Sequence, residues 1–498
     1  MSSLFLAAPL IIVGFGALSL MLLSAFRPIS TAKINLTTIA ILTIALLFEL
    51  PLINDSFSQI LFTDGETNIF NGMLIADSFS SLFTLLFTLG TILTLAISHR
   101  YLVANLFFVN EFFSLMLFAL FGMILLAMSY ELVTAFIALE TASLAIYILI
   151  GIDKKNAISN EALFKYLLIG SFSGTFFLLG TLFIYLQLGS TNLHDIAIYI
   201  NSHALEESQL VVVGGSLLLV TILFKIGAFL FHTWVLDVYD GASMPVTMYM
   251  SATFKIAIFS ISLRIFLVDY RAYIDFFQPA IELIAFLTLI GGSLLAISQH
   301  SIKRMLAASS IVHSGYILIA LASFDKDEII AGSAIIFYLI AYFLSSVGAL
   351  GLLSYISVDR SKHLTYESFK GFAKRYPILA LAMSVFMLSL AGFPTTIGFI
   401  GKFYIFTSGI ASEHYLLVAV GLFAAFISIY YYFKLIAVMY FYPSNRDPKP
   451  LTATISPIAI ISIAVLTIWG GIGTGLVSFL PGADHFIDYA RQALDSLF

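Results

Sequence analysis

The chain of 498 residues contains no cysteine and is short of charge. Without thiols it cannot form disulfides, iron-sulfur or thiolate zinc ligands, CxxCH haem attachments or a cysteine nucleophile. Nine histidines remain as conceivable ligands, but none stands in an HExxH arrangement and no two are spaced i,i+4. Charged residues make up only 10% of the chain, against roughly 25% in soluble proteins. The net charge is -5 and no basic run resembles a nucleic-acid surface. The one dense basic stretch, Arg360 to Arg375, lies between two apolar spans and reads as a topology signal. What fills the chain is apolar: 60% hydrophobic, with 48 Phe and 24 Tyr. So little polar material cannot cover a water-facing surface, and the composition describes a polytopic membrane protein. The first apolar stretch lacks a basic n-region and is too long for an h-region, so no cleavable signal peptide is expected.

Runs of about 20 apolar residues can cross a hydrocarbon core of about 30 Å. Fourteen are expected: 4–25, 34–53, 77–97, 111–129, 131–151, 161–187, 209–237, 243–268, 274–299, 304–324, 328–357, 377–410, 414–440 and 452–480. They leave no room for a sizeable soluble domain, so any function sits in the membrane or at its edge. Connections after odd-numbered spans carry Arg27, Lys33, Arg100, Lys154, Lys155, Lys303, Arg304, Arg360, Lys362, Lys370, Lys374, Arg375, Arg446 and Lys449. Those after even-numbered spans, with the C-terminal tail, carry only Arg271, Lys326 and Arg491. By the positive-inside rule the odd connections face the cytoplasm and both termini lie outside. The segments 54–76 and 188–208, acidic and without Lys or Arg, fall outside on the same reading.

Four ionisable residues lie deep in otherwise apolar spans: Glu140, Lys225, Lys255 and Lys402. A charge at midplane costs roughly 2.5–3.5 kcal/mol, so four cost about 10–14 kcal/mol. That rivals the whole net stability of a typical protein, about 5–15 kcal/mol. Such residues must be paired, hydrated or neutral for part of the time. Their neighbours point to a polar interior: Glu140, Ser143 and Tyr147 share a helical face, and Thr247, Ser251 and Lys255 repeat at i,i+4. His313, with Ser309 and Tyr316 on its face, adds a titratable group in the tenth span. The competing reading for any one of these is a static salt bridge or a packed histidine. For Lys165, Arg264 and Lys434, near span ends, snorkelling to the interface is the better expectation.

Two spans are interrupted. The twelfth carries Ala391-Gly392-Phe393-Pro394-Thr395 with Lys402 eight residues beyond the proline, and the seventh carries Lys225-Ile226-Gly227-Ala228 followed by His232, Trp234, Asp237 and Asp240. Broken spans at matching places in two halves indicate an inverted-repeat transporter with its ion path at midplane. The expected organisation is one membrane domain: spans 1–3 in 1–110, a first five-helix repeat in 111–268, a second in 274–440, and a final span at 452–480. Lys225 and Lys402 are then expected to be equivalent. Gly470-Gly471-Ile472-Gly473-Thr474-Gly475 has no strand before it and reads as close helix packing or a helix break.

At these residues the sequence resembles the antiporter-like membrane subunits of NADH-quinone oxidoreductase (respiratory complex I), subunit N in particular. The resemblance rests on Leu223-Phe224-Lys225, on Phe231-His232-Thr233-Trp234 with Asp237-Val238-Tyr239-Asp240-Gly241-Ala242, and on the run through Ser251 to Lys255. Ser301 to Ser310 and Leu388 to Lys402 match two further blocks. Leu230, Leu236 and Ser243 stand where family members often have proline, and Thr395 replaces a frequent second proline. The resemblance implies proton translocation coupled to quinone reduction in other subunits of a bacterial inner membrane complex. It implies a Glu140 and Lys225 charge pair, Lys255 as a bridge, His313 as a possible relay, and Lys402 passing the proton on. NADH, FMN, iron-sulfur clusters and quinone would be held by partner subunits, and the neighbours would be another antiporter-like subunit and small membrane subunits. Two other readings stay open: a subunit of a multi-subunit cation/proton antiporter or membrane-bound hydrogenase, and a structural membrane spacer.

Overall fold

The computed structural model describes residues 5–26, 29–53, 68–105, 110–325, 328–357, 364–443, 455–472 and 482–497. Arg27, Lys326, Arg360, Lys362, Arg446, Lys449, most of the segment 54–76, and Gly473, Thr474 and Gly475 lie outside these residues. Hydrocarbon offers the backbone no hydrogen-bond partner, so spans must satisfy themselves as helices. Thirteen helices among the described residues are long and apolar enough to cross a membrane. The twelfth expected span is present as two shorter apolar helices, which brings the total to fourteen.

Spans 1 to 6 are Ala8–Phe26, Thr31–Ile53, Ser78–Ile97, Glu111–Met128, Leu132–Ile150 and Ala157–Leu188. Span 7 is Gln209–Ile226 and, after a break, Thr233–Gly241; span 8 runs over Met244–Asp269. Spans 9 to 11 are Ile274–Ile297, Ile302–Ala322 and Glu328–Ile356. Span 12 is Pro377–Ala391 and Ile397–Ala411, followed by span 13 (Tyr415–Phe441) and span 14 (Ile455–Ile472). The two halves repeat one packing plan: span 4 lies on 5 as 9 lies on 10, span 6 packs both pieces of 7 as 11 packs both pieces of 12, and spans 8 and 13 return against 4 and 9. Each unit has five spans, an odd number, so the second enters the membrane from the opposite face and the repeats are inverted. Spans 8, 10 and 11 are buried almost throughout, which makes them the central axis.

The two breaks share a backbone design. Gly227 (φ +69°) and Gly392 (φ +83°) end their helices in the left-handed region. Beyond them Ala228 N donates to Leu223 O and Phe393 N donates to Leu388 O, the same wrap-around closure in each half. Three residues past each glycine the chain is left-handed again, at Leu230 (φ +82°) and Thr395 (φ +79°). Proline is locked near -65°, so neither position holds a backbone that proline could adopt. Aligning the glycines corrects one expectation. Lys225 precedes its glycine by two residues and Lys402 follows its glycine by ten, so the two lysines are not equivalent in register.

The sequence pattern held no strands, yet one face carries a small roof. A hairpin pairs β1 (Asn68–Ile69) with β2 (Leu74–Ile75); Leu74 bridges to Ser129, and Glu131 bridges to Asn192. A helix over Leu193–Ser202 and a C-terminal amphipathic helix, Ala483–Asp495, lie on this basic-poor face. The latter packs on spans 3 and 11, and Ser496 Oγ accepts a hydrogen bond from Phe79 N.

Candidate functional site

Glu140 sits midway along span 5 and Lys225 in the last turn before the span 7 break. Lys225 Nζ lies 3.8 Å from Glu140 Oε1 and donates to Ser143 Oγ (2.9 Å) and Tyr147 Oη (3.3 Å). The helical face seen in the sequence therefore receives the ammonium as a unit. Glycines on span 6 give these groups room: a Cβ at Gly170 would strike the Tyr147 hydroxyl, and one at Gly174 would meet Glu140 Oε1 at 2.9 Å. Glu140 Oε1 is buried without a hydrogen-bond partner, so its tie to Lys225 is a long ion pair. At an effective dielectric near 20, such a pair at about 4 Å is worth about 4 kcal/mol.

Lys255 follows a π-helical stretch, Tyr249–Phe254, in span 8. Its Nζ donates to Ser310 O (2.8 Å), Ser310 Oγ (3.2 Å) and Ser314 Oγ (3.1 Å). Ser314 Oγ in turn donates to Ile226 O (3.2 Å), the residue beside Lys225. One serine thus ties the first break to the central lysine. Thr247 and Ser251 do not meet Lys255; Thr247 Oγ1 donates to Tyr239 O, and Ser251 is hydrogen-bonded to the Tyr342 hydroxyl.

His313 is buried on span 10 between two tyrosines, with Nδ1 at 2.5 Å from Tyr338 Oη and Nε2 at 3.1 Å from Tyr432 Oη. Tyr432 also bonds Ser309. Tyr316 stands edge-on to His313, and Lys402 Nζ lies 4.7 Å over the Tyr316 ring. Lys402 reaches back along the broken span, donating to Leu390 O and Ala391 O, both at 2.9 Å. These carbonyls end the first half-helix, where the macrodipole is negative. Though their Cα positions differ in register, both break lysines deliver their ammoniums at the C-terminal end of a first half-helix. Among the described residues no carboxylate pairs with Lys255 or Lys402.

Three groupings result: Glu140 with Lys225; Lys255 with Ser310 and Ser314 on the span that carries His313; and His313 beside Tyr316, over whose ring Lys402 lies. Sequence reasoning missed Tyr338, Tyr342 and Tyr432; the i,i+4 pair of tyrosines on span 11 was the available signal. It also misjudged one interfacial residue. Arg264 does not snorkel but is buried in a bidentate ion pair with Asp77 (2.9 and 3.1 Å) and donates to Ala127 O. Lys165 is held between Glu161 (2.7 Å) and Asp237 (2.8 Å), while Arg304 pairs Asp237 and Asp240 beside the break. Lys434 lies 4.5 Å over the Tyr366 ring. Among the described residues no three His, Asp or Glu side chains form a metal-holding group.

The family described as NADH:quinone oxidoreductase/Mrp antiporter, TM, matches residues 129–428. NADH-quinone oxidoreductase subunit N of Trichlorobacter lovleyi is 34% identical over 481 residues, 96% of each chain. A chain of respiratory complex I from Thermus thermophilus with bound aureothin superposes with a TM-score of 0.78 at 31% identity, covering 94% of this chain and 98% of that one. A chain of the Mrp complex from Dietzia sp. shares the fold with a TM-score of 0.84 at 20% identity, covering 99% and 98%. The chain belongs to the NADH:quinone oxidoreductase/Mrp antiporter membrane family, in the branch whose curated members are called NADH-quinone oxidoreductase subunit N.

Proposed function

We propose that this chain is a proton-translocating subunit of an H+-translocating NADH-quinone oxidoreductase, in which quinone reduction in other subunits drives protons along Glu140, Lys225, Lys255, His313 and Lys402. The observation that supports the reading is the gathering of Glu140, Lys225, Lys255, His313 and Lys402, with serine and tyrosine side chains among them, around the two helix breaks and the central spans. On this reading NADH, FMN, iron-sulfur clusters and quinone belong to partner subunits, and the chain sits beside another antiporter-like subunit and small membrane subunits of the bacterial inner membrane. The distribution of Lys and Arg supports both termini on the periplasmic side.

The switch is the Glu140 and Lys225 pair. While the carboxylate is ionised and near, it holds the proton on Lys225; when it is drawn off or neutralised, the proton is free to pass towards Lys255 and Lys402. Moving one charge against about 150 mV takes about 3.4 kcal/mol. Making and breaking a pair worth about 4 kcal/mol matches that requirement. The test is Lys225→Ala in the assembled complex, with proton uptake by reconstituted vesicles followed during NADH oxidation. Lost pumping with retained electron transfer is expected; undiminished pumping would overturn the proposal. A cation/proton antiporter subunit would instead purify without flavin and iron-sulfur partners, and a structural spacer would keep normal coupling after Glu140 and Lys402 are both replaced.

A further inference from the structure

A midplane relay needs a way out, and span 8 departs from α-helical form a second time on the basic-poor side, over Arg264–Asp269. Its i→i+5 closure, Tyr270 N to Ile265 O at 3.0 Å, brings residue i+5 back over residue i and so turns Asp269 towards the side of Arg264. Arg264 is already committed to Asp77 and Ala127 O. Asp269 is 2% exposed, yet its Oδ2 has no hydrogen-bond partner among the described residues. A buried carboxylate oxygen left unpaired requires an explanation.

Between this turn and Lys255 the interface of spans 3 and 8 is lined with hydroxyls. Thr84, Thr88 and Thr91 are buried along span 3 at spacings of four and three. Thr91 Oγ1 donates to Tyr249 Oη (3.3 Å), and a Cβ at Gly90 would strike Thr253 Oγ1, so the two spans touch at these levels as they do at Asp77 and Arg264. The Thr253 hydroxyl oxygen at this interface is fully buried without a partner, as is Asp269 Oδ2. Each would cost about 1–3 kcal/mol in a dry interface, and bridging water would remove that cost. The inner end of the file is the π-stretch that leads into Lys255.

At the other end lies a chamber of about 570 Å³ under the roof, lined by Asn68, Asn71, Tyr130, Glu131, His194 and Asp195 among others. Tyr130 is in electrostatic reach of Asp269, Arg264, Asp77 and Asp195. The helix Leu193–Ser202 packs directly on the Arg264–Asp269 turn.

We propose that protons leave along the hydroxyl file between spans 3 and 8, with Asp269 as the last proton carrier before the chamber. The inference rests on the relay proposed above and adds its exit at the level of Lys255, which a proton held at Lys402 reaches back through His313. Asp269 takes a proton from the file as its carboxylate becomes a carboxylic acid, then releases it to chamber water and is restored; nothing is oxidised or reduced. Arg264 places a fixed positive charge beside this point and opposes return of an excess proton not carried by Asp269.

Because the chain has no cysteine, single-cysteine variants in the intact complex report on one position of this subunit. Thr88→Cys and Thr253→Cys keep small side chains in the file, and Ala135→Cys, buried in span 5, is the control away from it. Silver ion added from the periplasmic side is expected to inhibit pumping at least tenfold more strongly in the two file variants than in the parent or the control. Asp269→Asn is expected to lower protons moved per NADH, and Asp269→Glu to restore them. Silver sensitivity no different from the parent at both file positions overturns the exit. If Lys225→Ala still abolishes pumping in that case, the relay stands and only this route falls.

Discussion

Replacing Lys402 separates charge from proton transfer. Its ammonium makes two hydrogen bonds, to Leu390 O and Ala391 O at 2.9 Å. Hydrogen bonds to charged groups contribute about 1.5–3 kcal/mol each, so the pair holds the ammonium by about 3–6 kcal/mol. That brackets the 3.4 kcal/mol or so needed to move one charge against about 150 mV, a depth that binds a proton without trapping it. Lys402→Met keeps the chain length and removes the carrier, leaving two helix-end carbonyls unpaired at about 1–3 kcal/mol each. Lys402→Arg keeps a cation that can reach the same carbonyls but does not deprotonate in proteins. In reconstituted vesicles both variants should pump at least tenfold more slowly than the parent. With an uncoupler present, NADH oxidation by the arginine variant should stay near normal. The arginine variant should also melt close to the parent, and the methionine variant should melt lower. If Lys402→Arg pumps normally, the residue acts as a fixed charge and the argument for a proton carrier is wrong.

Leu230, at φ +82°, stores about 1–2 kcal/mol of left-handed strain. Leu230→Gly should therefore raise the melting temperature of the purified complex or leave it unchanged, whereas Leu230→Pro should lower it, as scanning calorimetry would show. Gly170→Ala should push the Tyr147 hydroxyl off Lys225, destabilise by about 1–3 kcal/mol through overpacking, and slow pumping severalfold; unchanged pumping would mean that Tyr147 does not help to hold the ammonium.

The span pattern was legible because lipid forces every segment into the same solution, and the run of apolar residues records it directly. The deep charges were legible for the complementary reason that nothing in hydrocarbon favours them. Their partners were harder to see. Lys402 turns back to carbonyls in its own broken span, and no side-chain motif announces a backbone acceptor. Arg264 looked interfacial because it lies near the end of span 8, and only the fold brings Asp77 from span 3 to meet it. The capping sequence Asp77-Ser78-Phe79-Ser80 was readable as a helix start, but not as half of a buried ion pair. The roof was invisible because its strands are two residues long and its pairing partners are isolated residues between spans.

The unequal register of the two break lysines carries a mechanistic consequence. Lys225 stands on the half-helix that ends at the break and reaches sideways to span 5, where its counter-charge is a carboxylate that can come and go. Lys402 stands on the half-helix that follows the break and reaches backwards to two carbonyls that cannot change charge. One seat is therefore adjustable and the other fixed, although both lie at the negative end of a half-helix. A relay needs this difference. Two fixed seats would hold protons at constant affinity and give no direction, and two adjustable seats would each need a drive. In the proposed relay, with one of each, a change at Glu140 alone would alter the difference between its two lysine seats, and protons would move between Lys225 and Lys402 according to the state of a single carboxylate.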